Sequence, residues 1–365
     1  MKVVIAGGGT GGHLFPGIAI AEAINERYPT AEILFISTRR TFDVTHLTLN
    51  NFQFQPISSP PFSLKLTFPI IFLKALISSV KILKQYQPNI LIGLGGFGSV
   101  PPILATIIRR IPFVILEQNC VPGKANRLLA RWSKGIYSQW AGARKFFVAS
   151  GRKFIHSGSP LRNSMRIIDK NSARRQLGLS PEKMTISIVG GSQGASALNT
   201  FMLSEAEHLR SFKDKIQIIH LTGKDYENTA RKAYSSNGIE SYVQPFTNEM
   251  ALVYSATDLI ISRAGGIALQ EIAHYGIPAI LIPYPFAAEN HQLANAREVE
   301  KAGGAIVIEE KCLQKGTITK IAGEFLSDSI KFLEMGRAIQ SFASHNAKNI
   351  IVNDIIGLCR EVKYA

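Results

Sequence analysis

Cysteine is scarce in this sequence, and the few cysteines are far apart. The chain of 365 residues contains three of them, Cys120, Cys312 and Cys359, and no pair has C-x-x-C spacing. This pattern excludes a disulfide-stabilised secreted scaffold and a cysteine-ligated zinc site. It is typical of a protein in a reducing compartment, so we expect a cytoplasmic location.

Acidic residues are also in short supply. Lysine and arginine together number 41, against 26 aspartates and glutamates, which gives a formal net charge of +15. A charge of this size favours an anionic partner: a nucleic acid, an anionic membrane or a phosphorylated substrate. Composition alone does not choose among the three.

No apolar run is suited to spanning a membrane. The most apolar region, FPIIFLKALISSVKIL, is interrupted by Lys74 and Lys81, which makes it a poor membrane span. The N-terminus leads directly into a strand and a glycine loop, so we expect no signal peptide.

Metal-ligand motifs are missing as well. The sequence has no Asp-x-Asp and no His, Asp or Glu cluster with evident ligand spacing. Diphosphate chemistry that depends on a metal clamp needs such oxygen ligands. We therefore expect neither a metal ion nor another cofactor.

What the sequence does contain is a regular alternation of apolar strands and helical patterns. Continuous apolar runs such as EILFIS, PFVILEQN, MTISIVGG and DLIISRAGG predict parallel sheets covered on both faces. Because the strand and glycine loop of the first half recur in TISIVGGSQGASALN, we predict an α/β protein with two doubly wound Rossmann-like domains facing a central cleft. The predicted bounds are 1–159 for the first domain, 160–338 for the second, and 339–365 for a C-terminal helix that packs back on the first.

The chain opens on a glycine-rich loop, MKVVIAGGGTGGHLFPG. Gly7, Gly9 and Gly12 satisfy G-x-G-x-x-G, a pattern in which the backbone approaches a pyrophosphate at a helix N-terminus. An NAD site would also need an acidic residue at the end of the second strand, where this chain has Arg39 and Arg40. These arginines would suit an NADP phosphate, so an oxidoreductase stays an alternative, although one dinucleotide does not explain the second glycine loop, GGSQGA.

Polar residues at helix starts and strand ends are candidate site residues. His13 begins a helix whose dipole disfavours the protonated imidazole, which suits a neutral base; alternatively, it only caps or packs. Glu117, Gln118 and Asn119 follow a strand, either at a ligand site or merely at a loop start. Glu271 follows another glycine loop and is placed to hold a ribose diol, or is only a glutamate favoured by the helix dipole.

A set of motifs resembles a known family. GGGTGGHLFPG, GLGGFGS, LEQN, GSPLR, GGSQGA, SRAGG with Glu271, and NHQLANA occur in the order and spacing of the MurG family of bacterial peptidoglycan glycosyltransferases. The resemblance covers nearly the whole chain. It implies a GT-B fold and an inverting, metal-independent transfer of N-acetylglucosamine from UDP-N-acetylglucosamine to the C4 hydroxyl of lipid I, which gives lipid II.

The resemblance also implies roles for individual residues. His13 is the expected catalytic residue, either as the base or as the group that orients the acceptor hydroxyl, because Leu116 stands where many members have a second histidine. Ser159 and Ala268 also depart from the family, replacing a usual Asn and a common Thr. The implied substrate-binding residues are Thr10, Gly11 and Gly12 of the first glycine loop, Asn119 at the sugar, Arg162 and Ser192 near the UDP diphosphate, Thr247 at the uracil, Gly266, Ile267, Ala268, Leu269, Gln270 and Glu271 around the nucleotide, and Gln292 at a sugar hydroxyl.

A lipid-linked acceptor would require membrane contact, and one segment suits it. PPFSLKLTFPIIFLKALISSVKILKQYQP mixes apolar residues with lysines, as membrane-interface segments do, although its helix could also pack in the first domain's core. The residues in question are Phe62, Leu64, Lys65, Leu66, Phe68, Ile70, Ile71, Phe72, Leu73, Lys74, Lys81 and Lys84. We expect a peripheral protein on the cytoplasmic face of the bacterial inner membrane, with UDP-N-acetylglucosamine, lipid I and anionic lipid as partners, other cell-wall enzymes as candidate partners, and no nucleic acid.

Two alternatives from other classes stay open. A UDP-N-acetylglucosamine epimerase resembles GT-B proteins in fold but needs no lipid acceptor. A basic peripheral protein that only binds nucleotide sugars or nucleic acid would show no turnover.

Overall fold

The chain folds into two units. The computed structural model describes residues 1–59, 67–191 and 195–364, with side chains described as far as residue 360. Unit 1 comprises residues 1–163 together with the chain from residue 344 onward, and unit 2 comprises residues 164–343. The predicted division at 159/160 lies a few residues before this one. Each unit is a parallel sheet with helices on both faces, which confirms the predicted fold class.

Unit 1 is built on a sheet of seven parallel strands. Its order is β3-β2-β1-β4-β5-β6-β7, and the interior strand β1 pairs Val4 with Leu34 on one side and with Leu91 on the other. Val3, Val4 and Ile5 are fully buried, as expected for a strand covered on both faces. The strands are β1 Lys2–Ala6, β2 Glu32–Thr38, β3 Gln53–Ile57, β4 Ile90–Gly93, β5 Phe113–Glu117, β6 Gly135–Ser138 and β7 Phe154–His156.

The helices of unit 1 connect these strands and leave the carboxyl ends of the sheet for loops. They are α1 Gly11–Arg27, α2 Thr41–Leu49, α3 Phe68–Tyr86, α4 Val100–Arg109 and α5 Lys124–Leu129. The strand order reverses direction between β1 and β4. In doubly wound sheets, ligands bind beyond the carboxyl ends of the strands at such a reversal.

Unit 2 repeats this plan with six parallel strands. Its order is β10-β9-β8-β11-β12-β13, so the reversal falls between β8 and β11. The helices are α6 Lys170–Gln176, α7 Ser196–Leu209, α8 Glu227–Ser236, α9 Met250–Ala256, α10 Gly266–Tyr275, α11 His291–Lys301, α12 Thr317–Ser327 and α13 Ser329–Gln340. The strands are β8 Met184–Val189, β9 Ile216–Leu221, β10 Ser241–Gln244, β11 Leu259–Ser262, β12 Ala279–Leu281 and β13 Ala305–Val307.

The last helix, α14 (Ala347–Tyr364), belongs to unit 1. Ile351, Val352 and Ile355 are fully buried in the core of that unit. The Tyr137 hydroxyl donates to the Asp354 carboxylate at 2.5 Å, which ties the helix to β6. The stretch 339–365, predicted as a single helix, therefore contains the end of α13 as well as α14.

Candidate substrate site

The first glycine loop follows β1 and is held in place by a buried carboxylate. Asp43, at the start of α2, accepts hydrogen bonds from the Gly9 N–H at 2.8 and 2.9 Å, and from the Thr38 N–H and hydroxyl at 3.0 and 2.6 Å. Gly8 has a φ of +139°, and a Cβ there would lie 2.5 Å from Asp43 Oδ2. The Arg40 guanidinium donates to the Gly9 carbonyl at 2.9 Å. The loop is thus fixed by α2, a constraint that sequence reasoning missed.

His13 lies in the first turn of α1, where its ring contacts Thr10. The Thr10 hydroxyl and His13 Nδ1 are 3.1 Å apart. Thr10 is the residue before α1 and makes no side-chain cap to the helix, so its hydroxyl serves the imidazole instead. Of the residues predicted in this loop, Gly11 and Gly12 open the helix and Gly12 is exposed. Thr10, Gly12 and His13 are therefore together at the carboxyl end of β1.

The glycine loop after β4, in the motif GLGGFGS, lies against the His13 ring. Gly96 has a φ of +70°, and a Cβ at this position would lie 3.4 Å from His13 Cε1 and Nε2. Any larger side chain would also press on the ring edge that carries Nε2. Glycine at this position puts no side chain of its own against that edge of the imidazole.

The loop after β5 is organised by Glu117. Its carboxylate accepts from the Asn119 N–H at 3.0 Å, the Asn119 amide at 3.3 Å, the Gly123 N–H at 3.2 Å and the Asn126 amide at 2.8 Å. Burial raises the pKa of Glu117, while these hydrogen bonds oppose the rise. Because four donors use the lone pairs of the carboxylate, Glu117 is suited to holding Asn119 in place rather than to taking a proton from substrate. Leu116 is buried in the core of unit 1.

Arg162 belongs to unit 1 and stacks on α1. Its guanidinium carbon is 3.7 Å from the centroid of the Phe15 ring, a cation–π contact. Phe15 in turn packs edge-on against His46 at a centroid distance of 5.1 Å. Burial first, and then the charge of Arg162, lower the pKa of His46. The aromatic contact places Arg162 next to the helix that carries His13.

In unit 2, the loop after β11 is tied to the neighbouring loops. The Arg263 side chain is buried, pairs with Glu310 at 2.5 Å, and donates to the Ile282 carbonyl at 3.1 Å. The residues it connects lie 47 and 19 positions away along the chain. Arg263 is part of the SRAGG motif, but sequence reasoning assigned it no role, and no local signal pointed to Glu310.

Gln292 holds the same loop by its amide oxygen. Its Oε1 accepts from the Ala264 N–H at 3.2 Å and from the Tyr284 N–H at 3.0 Å. Asn295 donates to the Ala264 carbonyl at 3.1 Å. Because two N–H groups donate to it, this end of the Gln292 amide is the oxygen and the other end is the NH₂ group. Both lone pairs of the oxygen are used, so the side chain can interact with a ligand only as a donor, through its NH₂ group.

The predicted nucleotide residues from Gly266 to Glu271 form the first half of α10. The side chains of Ile267, Leu269 and Gln270 are buried, and both polar atoms of Gln270 lack a partner in the described part of the chain. Because α10 begins at Gly266, the N–H groups of its first turn and the positive end of its dipole are at this loop, and both suit a diphosphate. Glu271 is also buried, and its Oε2 accepts from the Tyr254 hydroxyl at 2.9 Å.

The remaining predicted positions are placed as follows. Thr247 follows β10 and is half-buried, and its hydroxyl accepts from the Glu249 N–H at 3.0 Å. Ser192 lies outside the described residues. Across residues 1–59, 67–191 and 195–360, no three His, Cys, Asp or Glu side chains are grouped as a metal site needs.

The sequence matches family models over most of both units. The family model described as the glycosyltransferase family 28 N-terminal domain matches residues 3–138, and the one described as the glycosyltransferase family 28 C-terminal domain matches residues 185–351. A Thermodesulfovibrio yellowstonii protein is 35% identical over 365 residues, which cover 99% of each chain. It is named "UDP-N-acetylglucosamine--N-acetylmuramyl-(pentapeptide) pyrophosphoryl-undecaprenol N-acetylglucosamine transferase".

Solved structures agree on the fold. The chain resembles a crystal structure of Acinetobacter baumannii MurG with a TM-score of 0.76 at 27% identity, over 98% of this chain and 99% of that one. It also resembles a UDP-GlcNAc 2-epimerase from Neisseria meningitidis with a TM-score of 0.69, over 98% of this chain and 100% of the other. At 15% identity, the second likeness shows the fold alone.

Proposed function

This chain belongs to glycosyltransferase family 28, and we propose that it transfers N-acetylglucosamine from UDP-N-acetylglucosamine to N-acetylmuramyl-(pentapeptide) pyrophosphoryl-undecaprenol, which is lipid I, to form lipid II for peptidoglycan synthesis. The observation that carries the proposal is the 35% identity to a transferase of that name over 99% of both chains. The enzyme is a GT-B N-acetylglucosaminyltransferase, as the sequence motifs predicted.

The proposed reaction is a single displacement at the anomeric carbon of the donor. The oxygen of the acceptor's C4 hydroxyl forms a bond to C1 of the sugar, and the bond between C1 and the diphosphate oxygen breaks. UDP leaves with that electron pair from the opposite face, so the configuration at C1 inverts. The hydroxyl proton passes to a base. Negative charge that develops on the diphosphate is stabilised by the N-terminus of α10, whose dipoles are already oriented, and Ser192 is a further proposed donor.

His13 is the proposed base, and its contact with Thr10 sets a condition on the tautomer. If Nδ1 donates its proton to the Thr10 oxygen, Nε2 carries the lone pair and is able to accept the proton of the acceptor hydroxyl. The 3.1 Å separation of Nδ1 and the Thr10 hydroxyl is compatible with this arrangement. The glycine at position 96 puts no side chain of its own against the Nε2 edge. Glu117 is not proposed as the base, because its carboxylate oxygens already accept hydrogen bonds from four donors.

The donor is proposed to bind to unit 2 by its nucleotide. The Glu271 carboxylate would accept from the ribose hydroxyls, with the Tyr254 hydroxyl fixing its orientation. The Gln292 amide would donate to a sugar hydroxyl, since its oxygen is occupied by the loop. The backbone near Thr247 would pair with uracil. The other proposed contacts are Thr10, Gly11, Gly12 and Asn119 with the sugars and Arg162 with a phosphate.

The acceptor's lipid tail is proposed to bring α3 to an anionic membrane. Ile70, Leu73 and Ile77 form an exposed stripe on this helix, with 59%, 55% and 47% of their surfaces accessible. The spacing of three and four residues puts them on one helix face. The apolar stripe and the neighbouring lysines suit insertion at the level of the lipid headgroups.

Further details support a peripheral attachment. Lys74, Lys81 and Lys84 are exposed on the same helix, whereas Phe68, Ile71 and Phe72 are half-buried against the unit. No described helix is long and apolar enough to cross a bilayer. Four other residues that were predicted to contact the membrane lie outside the described residues: Phe62, Leu64, Lys65 and Leu66. We place the protein on the cytoplasmic face of the inner membrane, where other cell-wall enzymes are candidate partners.

Release of UDP tests the proposal. Purified protein should release UDP from UDP-N-acetylglucosamine only when lipid I is added, and a lipid II product should accumulate in equal amount. Release without lipid I, with formation of an epimerised sugar, would instead identify an epimerase. No turnover under either condition would favour a binding protein.

A further inference from the structure

Arg162 is attached to α1 at two points. The N–H of the next residue, Asn163, donates to Glu22 Oε2 at 2.7 Å, so the backbone beside Arg162 is held against the helix. The Arg162 guanidinium carbon is 3.7 Å from the centroid of the Phe15 ring. Phe15 precedes Glu22 by seven positions, which is about 10 Å along a helix axis. The Arg162 side chain therefore lies along α1, directed towards the end of the helix that carries His13.

The Phe15 ring is held by two aromatic rings of α2. Its centroid is 5.6 Å from that of Phe42 and 5.1 Å from that of His46. The Phe42 and His46 centroids are 4.4 Å apart, so the three rings form one aromatic cluster. Tilted and edge-on ring pairs of this kind stabilise beyond the area that they bury. The cluster therefore restricts rotation of the Phe15 ring away from Arg162.

The glycine at position 11 makes room for this aromatic cluster. A Cβ at Gly11 would lie 3.0 Å from Phe15 Cε2 and 3.5 Å from Phe42 Cζ. A side chain at this position would therefore press on the rings beneath Arg162. Glycine at position 11 has this packing reason in addition to its proposed contact with the substrate.

Stacking on Phe15 is compatible with phosphate binding by the same guanidinium. The 3.7 Å separation is ordinary van der Waals contact between the guanidinium carbon and the ring. A guanidinium stacked by its face directs its N–H groups in its own plane, away from the ring. In that plane, two N–H groups match two oxygens of a phosphate. The aromatic contact and the phosphate contact therefore use different parts of Arg162.

His46 supports the Phe15 ring without adding a positive charge. Burial first, and then the charge of Arg162, lower the pKa of His46, whereas Asp43 raises it. The net shift is downwards, so the imidazole is neutral at neutral pH. A neutral ring packs against Phe15 without repelling the guanidinium on the same ring.

We propose that Phe15 is a positioning residue for Arg162, and that the aromatic cluster holds the guanidinium where it binds a phosphate of the donor. The inference rests on the proposed function, in which Arg162 contacts a phosphate, and it adds how this arginine is kept in place. Because Arg162 and His13 are both held by α1, the helix fixes the phosphate contact and the proposed base relative to each other. Phe15 thus acts on donor binding through Arg162.

A double-mutant cycle with UDP affinity as the readout tests this role. Phe15→Leu keeps an apolar side chain but removes the ring face, and it should weaken UDP binding by about three- to tenfold, as expected for loss of a partly desolvated cation–π contact. Arg162→Met should weaken UDP binding at least as much. In the Arg162→Met background, Phe15→Leu should have no further effect, because the residue through which Phe15 acts is gone. Phe15→Tyr keeps the aromatic ring and should bind UDP like the parent.

Uridine distinguishes positioning of Arg162 from a general effect on packing. It has no phosphate, so its affinity should be unchanged in Phe15→Leu and in Arg162→Met. The matched control is Phe146→Leu, also in unit 1, whose ring centroid lies 5.8 Å from the Arg127 guanidinium carbon; this variant should bind UDP like the parent.

Three results would overturn the inference. Phe15→Leu could leave UDP affinity unchanged, or weaken UDP binding equally in the parent and in the Arg162→Met background. It could also weaken uridine binding as much as UDP binding. The last two results would mean that Phe15 only supports the packing of unit 1.

Steady-state kinetics separate this inference from the proposed function. In Phe15→Leu, kcat/KM for UDP-N-acetylglucosamine should fall by about three- to tenfold, while the KM for lipid I stays near the parent value. A parent that turns over lipid I, together with a cycle that shows no coupling between Phe15 and Arg162, overturns the role of Phe15 alone. A parent that binds UDP but does not turn over lipid I overturns the proposed function, and the UDP and uridine titrations then still decide whether Phe15 acts through Arg162.

Discussion

Replacing two exposed apolar residues on α3 should release the protein from anionic membranes. The perturbation is Ile70→Ser with Leu73→Ser. More than half of each side chain is exposed in the structure, so neither residue contributes much to the core of unit 1. The fold should therefore be retained, and loss of membrane binding would report on the surface itself.

The expected size of the effect follows from the exposed areas. Full burial of an isoleucine or leucine side chain stabilises by about 1.5–3 kcal/mol. With 59% and 55% of these residues accessible, each contributes roughly 1–1.5 kcal/mol on entering the membrane interface, and the pair about 2–3 kcal/mol. Since about 1.4 kcal/mol corresponds to tenfold in affinity, binding should fall by roughly 30- to 100-fold.

Sedimentation with vesicles of phosphatidylglycerol and phosphatidylcholine measures this affinity. The matched control is Ile330→Ser with Leu333→Ser on α13, which has the same residue types at the same spacing and exposures of 68% and 55%. The control should bind vesicles like the parent, and added salt should weaken the binding of both. Turnover of a short-chain soluble acceptor should be retained in the α3 variant.

The reasoning about α3 is refuted if the α3 variant, folded and active on the soluble acceptor, binds vesicles as tightly as the parent. Equal losses in the α3 and α13 variants would mean that exposed apolar area in general, rather than this helix face, causes adsorption. Either result would require another docking surface.

Four other predictions concern the substrate site and the core of unit 2. Tyr254→Phe should weaken UDP binding by up to about tenfold in calorimetry, because a hydrogen bond that fixes the Glu271 carboxylate is lost; unchanged affinity would remove Tyr254 from the site. His13→Ala should lower kcat by roughly 10²–10⁴ at saturating substrates if it is the base, and near-normal turnover would assign the proton to water. EDTA should leave the rate intact, and inhibition that magnesium reverses would contradict a metal-independent reaction. Burial lowers the pKa of His220 to about 4, so its contribution to stability is complete above about pH 6.5 and is lost as the pH falls towards 4, by about 3 kcal/mol. Urea unfolding of the parent and of His220→Gln at pH 7.5 and 4.5 should show a smaller loss in the variant.

The interior strands and the edge strand β10 were predictable from sequence, and the other edge strands were not. β1, β5, β8 and β11 are continuous apolar runs, as strands covered on both faces must be. β3, β7 and β13 lie at the sheet edges, have three to five residues each and are partly exposed. Their apolar pattern is too short to distinguish them from loops, and their pairing is fixed only once the rest of the sheet is present.

The positions of the site residues were more predictable than the contacts that hold them. Asn119 and Glu271 could be placed at the carboxyl edges of sheets because strand ends are visible in the sequence. The partners of these residues depend on packing. Tyr254 reaches Glu271 from another helix, and Arg263 pairs with a glutamate 47 residues away. Asp43 was missed for the same reason, because its glycine-loop partner Gly9 lies 34 residues earlier.

The most direct test of the account uses a donor labelled with ¹³C at C1 of N-acetylglucosamine, incubated with lipid I and the purified chain. The account predicts a product in which the labelled carbon is bonded to the C4 oxygen of the muramyl sugar and has the β configuration, opposite to the α-linked donor. The one-bond carbon–hydrogen coupling at C1 in the NMR spectrum of the product reports this configuration. Label recovered with the α configuration, or at another oxygen of the acceptor, would contradict a single inverting displacement by the C4 hydroxyl.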